Sequence, residues 1–134
     1  MKIHGHCHCG EIAYEAEIDP AQVSICHCSD CQILTGTAYR VSVPVKVGDF
    51  HLRKGAPEIY VKRAESGRER AQAFCARCGT PIYAADAHQP AVFNLRTGAV
   101  VERAQLKPVR QIWCRSALDW VQNLAGVEMR ERQG

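Results

Sequence analysis

Three thiols fall within six residues at Cys26-His27-Cys28-Ser29-Asp30-Cys31. A Cys-x-Cys spacing runs straight into a Cys-x-x-Cys spacing. Soft ligands this dense point to a metal, and three is one short of a closed tetrahedral zinc site. Four further cysteines form two pairs, Cys7/Cys9 and Cys75/Cys78, each followed by glycine, Gly10 and Gly79. Together they supply the four ligands of a structural zinc. A glycine after each pair can adopt positive φ and turn backbone N–H groups toward the sulfurs. Because the pairs are far apart in sequence, such a metal would tie the N-terminus to the middle of the chain and contribute to folding.

Cys26, Cys28 and Cys31 then remain as a group. Strand alternation puts Cys26 and Cys28 on one face, and a turn can bring Cys31 back to them. Three protein ligands with an open fourth position is the general form of a catalytic zinc site. Three thiolates make the zinc a mild Lewis acid, suited to holding a substrate thiol as thiolate, with an aldehyde carbon as the natural electrophile. Closure by a fourth protein ligand is the competing reading. Its candidates are His27, Asp30, His51, His88 and Cys114, of which Cys114, between Trp113 and Arg115, reads as a core thiol in a strand. Trp113 and Trp120 likewise read as core residues. A redox dithiol at Cys75/Cys78 fits less well, since Pro81-Ile82-Tyr83 suggests a hairpin rather than a βαβ junction.

The elements that must position these groups are mostly strands. Ile12, Tyr14, Ala16 and Ile18 alternate with Glu11, Glu15 and Glu17, the period of a half-buried strand. Tyr39, Val41, Val43, Val45 and Val47 share one face of a second strand, with Arg40, Ser42 and Lys46 on the other. Pro44 places part of that strand at an edge or a bulge. Shorter strands are expected at 50–53, 59–62, 71–74, 80–84, 91–96 and 110–114. Ser29 is expected to cap one helical turn that stops at Gly36, and Ser116 a helix bearing Ala117, Leu118, Val121 and Leu124. From Glu128 the tail is charged. The expectation is a mainly β, zinc-bearing single domain over 1–134 with short helical segments and a core of about 3–121.

Composition narrows the function classes. The 134 residues carry a net charge of +3 with the basic residues scattered, which argues against a nucleic-acid partner. No stretch approaches the roughly 18 apolar residues of a membrane span. Met1 to His6 lacks the apolar core of a secretory signal, so the expected compartment is the cytoplasm, where thiols stay reduced. That compartment, and the tight spacing of seven of the eight cysteines, favour metal over disulfides.

Gly5-His6-Cys7-His8-Cys9-Gly10, the 26–31 stretch and Phe74-Cys75-Ala76-Arg77-Cys78-Gly79-Thr80-Pro81-Ile82-Tyr83 resemble the glutathione-dependent formaldehyde-activating (GFA) family. Pro108-Val109-Arg110-Gln111-Ile112-Trp113, with Trp120, is similar to the family's ending. The resemblance implies a β-rich, tent-like fold with two zincs per chain. Cys7, Cys9, Cys75 and Cys78 would share the structural zinc, and Cys26, Cys28 and Cys31 would hold the second at the active site. It implies a carbon–sulfur lyase run in the synthetic direction, joining glutathione to formaldehyde as S-hydroxymethylglutathione. A thiol carrier without catalysis and a zinc-stabilised interaction domain are the alternatives. The chain departs from the family's usual pattern at Gln32-Ile33, Lys62-Arg63-Ala64-Glu65 and Gly98-Ala99-Val100-Val101-Glu102. Candidates for a glutathione carboxylate are Arg40, Arg53, Lys54, Arg63 and Arg96.

Overall fold

A computed structural model describes residues 1–134. In chain order the strands are β1 (Lys2–His6), β2 (Ala13–Glu17), β3 (Ser24–Cys26), β4 (Arg40–Lys46), β5 (Phe50–Lys54), β6 (Glu58–Arg63), β7 (Glu69–Phe74), β8 (Pro81–Asp86), β9 (Val92–Arg96) and β10 (Arg110–Ile112). One α-helix, α1 (Ser29–Thr35), follows β3. No helix is long and apolar enough to cross a membrane.

Two sheets result. The smaller has the order β1-β2-β5, and the larger β10-β3-β4-β9-β8-β7-β6. All pairings are antiparallel except β10 with β3. The alternation in the second strand does what its period requires: Ile12, Tyr14, Ala16 and Ile18 are all buried. Val43 and Val45 of β4, Ile82 of β8 and Leu95 of β9 join them in one apolar cluster. Aromatic contacts link the sheets through Phe50, which packs on Tyr14 within the small one and meets Tyr83 and Phe93 from the large one. Tyr83 and Phe93 stack at 4.1 Å between ring centres, and Phe50 meets Phe93 edge-on at 5.2 Å.

Pro44 sits where its missing N–H costs nothing. β3 pairs with β4 only from Arg40 to Ser42, so beyond that point β4 is locally an edge.

Three local expectations are corrected. Cys28, not Ser29, caps α1, because its Sγ accepts the Cys31 N–H at 3.3 Å. The helix after Ser116 does not form: Cys114–Ser116 is a single 3-10 turn, and only turns and bends follow. Its apolar positions Leu118 and Leu124 are exposed, and a short helix with no surface to pack on is unstable. Cys114, Trp113 and Trp120 are exposed rather than core, since β10 stops at Ile112 and Trp113 turns the chain outward with φ at 56°.

Candidate metal centres

The first thiol cluster is built at two hairpin ends. β1 ends at His6, and Cys7 to Gly10 forms a turn closed by the Gly10 N–H to Cys7 O bond at 3.1 Å. The β7–β8 connection repeats this with Gly79 N–H to Cys75 O at 2.8 Å. Gly10 and Gly79 have φ values of 83° and 79°, the region that side-chain-bearing residues avoid. The His8 N–H donates to Thr80 Oγ1 at 3.0 Å and clips the turns together.

The four sulfurs of Cys7, Cys9, Cys75 and Cys78 lie within 4.8 Å of one another. Cys7 Sγ is 3.6 Å from Cys9 Sγ, which is 3.7 Å from Cys75 Sγ. Both gaps are far beyond a disulfide bond. A zinc tetrahedron with bonds of about 2.3 Å has edges of about 3.8 Å, so the donor set fits that ion. The backbone already favours thiolate here. Cys78 is held down to about 5 by the Thr80 hydroxyl, the Thr80 N–H and the Cys9 N–H. Burial opposes ionisation of Cys7, but the Ile12 N–H, 3.2 Å from its sulfur, and the adjacent thiols win, and its pKa is lowered. Cys9 accepts the Glu11 N–H, yet burial and its thiol neighbours push it up to about 11.

The second cluster lies at the β3–α1 junction. Cys26 ends β3, Cys28 caps α1, and Cys31 sits in its first turn. Their sulfurs also lie within 4.8 Å of one another, and no other His, Cys, Asp or Glu shares the group. The candidates for a fourth ligand are committed elsewhere or distant. His27 is buried with Nε2 2.6 Å from Gln111 Oε1, and its Nδ1, which has no partner, lies outside the thiol group. Asp30 accepts from Lys62 Nζ at 2.7 Å. His51 and His88 are exposed, and Cys114 stands apart. Cys31 hydrogen-bonds Cys26, which lowers Cys26 and raises Cys31, and burial raises Cys31 further. A metal would hold all three as thiolates.

Cys26 and Cys31 line a cavity of about 300 Å³ against one face of the large sheet, and Cys28 lines an adjoining one of about 660 Å³ that shares Asp30, Lys62 and Trp113 with it. Cross-strand register puts the lining in rows, since directly paired residues share a face. Cys26 lies opposite Arg40, Ser24 opposite Ser42 and Ser42 opposite Arg96, and Gln72, Ala84 and Asn94 form another row. α1 and Trp113 add the walls. Gln72 Oε1 accepts from Arg40 at 3.3 Å and from Arg96 at 3.1 Å. Arg40 also donates to Thr35 Oγ1 at 2.6 Å, and Arg96 to Ser42 Oγ at 2.7 Å.

Among the sequence candidates for holding an anion, only Arg40 and Arg96 reach this cavity. Arg53 pairs with Glu15, Lys54 donates to Gly10 O, and Arg63 is exposed on β6, outside the lining. Gln72, Arg70, Lys62 and Trp113 line it without having been singled out for that role. The signal available for the first two was period 2: Arg70 and Gln72 alternate with Ala71 and Ala73 along β7.

A family model described as "Glutathione-dependent formaldehyde-activating enzyme" matches residues 2–116. A search among curated proteins finds no match. Among solved structures, the chain is similar to the crystal structure of a Rhodobacter sphaeroides protein determined by structural genomics. That similarity has a TM-score of 0.62 at 22% identity and covers 83% of this chain and 99% of the other, a likeness of fold. The chain belongs to the glutathione-dependent formaldehyde-activating enzyme family.

Proposed function

We propose that this member of the glutathione-dependent formaldehyde-activating family is a zinc-dependent carbon–sulfur lyase working in the direction of addition. It joins a thiol, glutathione or one like it, to formaldehyde or another small aldehyde. With glutathione and formaldehyde the product is S-hydroxymethylglutathione. The observation that carries this reading is the trio itself, three thiols gathered without a fourth protein ligand, with Cys26 and Cys31 on the wall of one cavity and Cys28 on the wall of the adjoining one. Cys26, Cys28 and Cys31 would hold the catalytic zinc, and Cys7, Cys9, Cys75 and Cys78 the structural one. A zinc ion held by three thiolates supplies a Lewis-acidic position that favours a thiol in its thiolate form.

The reaction balances without an oxidant or reductant. The sulfur–carbon bond forms, the carbonyl π bond breaks, and the thiol's proton ends on the former carbonyl oxygen. The chain's own contribution is positional and electrostatic. Capping of α1 by Cys28 fixes Cys31 relative to Cys28. Arg40, buried and lying opposite Cys26, places a cation beside the reacting region. Nearby positive charge favours thiolate over thiol. Gln72 holds Arg40 and Arg96 in place, so little reorganisation is needed when charge develops.

The test is adduct formation from glutathione and formaldehyde with zinc-loaded protein. A rate above the spontaneous reaction, lost in Cys28→Ser, is expected. A wild-type rate equal to the spontaneous one would sink the reading, and glutathione binding without turnover would leave a thiol carrier.

A further inference from the structure

The large sheet has two edges, and they are finished differently. β10, at one edge, is three residues long and is followed at once by the outward turn at Trp113. β6, at the other, runs for six residues and pairs with β7 along its whole length, from Glu58 to Arg63. No strand covers its outer side. An open edge presents unpaired N–H and C=O groups, and edges that stay single are blunted by charge, by proline or by being short. The centre of β6 is the reverse. Ile59, Tyr60 and Val61 are consecutive and 42%, 54% and 45% exposed. Charge is confined to the ends of the strand, at Glu58, Lys62 and Arg63.

Both faces of this edge are apolar. Ile59 lies opposite Ala73, Ala73 opposite Tyr83, Tyr83 opposite Leu95 and Leu95 opposite Val43. Directly paired residues share a face, so a row of the core runs off the sheet at Ile59. Val61 ends the neighbouring row, after Ala85 and Ala71. On the other face, Tyr60 and Ile33 of α1 line a groove of about 250 Å³, and Ile33 is 76% exposed.

The order of residues in β6 selects what fits it. A two-fold axis normal to the sheet runs two copies antiparallel and keeps like faces together, which pairs odd positions with odd and even with even. Centred on Tyr60, that register sets Ile59 against Val61, Glu58 against Lys62 and Tyr60 against itself. Glu58 has no ion pair within the chain, so its carboxylate is free to reach Lys62 of the second copy. Centred on Val61 instead, the strands set Ile59 against Arg63 and Tyr60 against Lys62. Centred on Ile59, they set Glu58 against Tyr60 and Pro57 against Val61. The Tyr60 register alone matches apolar with apolar and acid with base.

We propose that β6 is a dimerisation edge: two copies of this chain pair their β6 strands antiparallel about Tyr60, joining two seven-stranded sheets into one. The contact is isologous and closes at two copies. It covers Ile59 and Val61 and pairs the open backbone of the edge.

The test is the mass of the zinc-loaded full chain by sedimentation equilibrium, over about 1 µM to 1 mM. A reversible shift from 14.9 kDa to about twice that mass is expected. Glu58→Lys sets like charges together twice about the axis and should weaken the dimer about tenfold or more. Lys62→Glu does the same with the opposite sign. An equimolar mixture of the two variants restores both acid–base contacts and should dimerise within about threefold of wild type. A loss caused by damaged folding is not rescued by mixing, and circular dichroism reads the fold of each variant separately. Lys62→Glu also gives up the Asp30 pair, so Tyr60→Lys, at an exposed position, is the independent check. It sets two ammonium groups against each other on the axis and should abolish the dimer.

Wild-type protein that stays at 14.9 kDa throughout would overturn the proposal. So would a dimer that Glu58→Lys and Tyr60→Lys leave unchanged, because its interface lies elsewhere. Mass that keeps growing past two copies would contradict an isologous contact. Weakening by the single variants with no rescue on mixing would overturn the Tyr60 register.

Discussion

The two thiol clusters use the same chemistry at different ends of different elements. The four-thiol cluster joins two hairpin ends that lie 66 residues apart between Cys9 and Cys75. Its backbone supplies N–H donors to the sulfurs, and Cys7 and Cys75 are buried. The trio comes from one continuous stretch, and all three of its cysteines are partly exposed. Cys26 and Cys31 face a cavity edged with guanidinium groups rather than another turn. On the proposed reading, the difference separates a cross-link that would hold the fold from a site that would receive a ligand.

The sharpest way to break that contrast is to remove one thiol from each cluster. Cys75→Ser removes a buried thiol from the long-range cross-link. It should cost at least about 4 kcal/mol, with much of the protein losing cooperative unfolding in circular dichroism melts. Cys28→Ser should keep the fold at a cost of about 1 kcal/mol, mostly from the weakened helix cap, while adduct formation falls to the spontaneous rate. Equal melting losses in both variants would erase the division of labour.

Acid should separate the clusters next. Protons compete with a metal for thiolates. Each cluster holds thiols shifted both ways, Cys7 and Cys78 down and Cys9 up in one, Cys26 down and Cys31 up in the other, so ligand number and burial decide: four thiols with two of them buried against three that are partly exposed. As pH falls, the trio should release its zinc at a higher pH than the four-thiol cluster. A chromophoric chelator followed from pH 8 downward should therefore show two steps, with only the first removed by Cys28→Ser.

Smaller effects should stay local. Gly5 packs against the Tyr14 ring so closely that an added methyl overlaps it, two residues before Cys7. Gly5→Ala should cost about 1–3 kcal/mol of stability in denaturant titrations and leave catalysis per folded molecule unchanged. Lys62→Met removes the 2.7 Å ion pair between β6 and α1. Because Asp30 is half exposed, the loss should be below about 1 kcal/mol in the same titration.

Much of the site was legible because thiols are rare and their spacing is informative. Cys26, Cys28 and Cys31 converge as their spacing implied, and so do Cys7, Cys9, Cys75 and Cys78. The strands were legible for the same kind of reason: Ile12, Tyr14, Ala16 and Ile18 repeat with the period of the pleat. The cavity was not legible. Arg40 and Ser42 alternate with valines, and alternation alone says only that they face away from the apolar core. Whether that second face meets solvent or a cavity depends on what covers it, here α1 and Trp113. Trp113 misled for a related reason. A tryptophan near the end of an apolar run reads as core, but the chain turns there with φ at 56° and presents the ring beside the cavity.

The most direct test of the central claim is zinc-edge X-ray absorption on protein holding two zincs. One closed and one open site give a mean of about 3.5 sulfurs per zinc, rising to about 4 when a thiol substrate is added. Four sulfurs per zinc before any thiol is added, or no change on adding it, would contradict an open site at Cys26, Cys28 and Cys31.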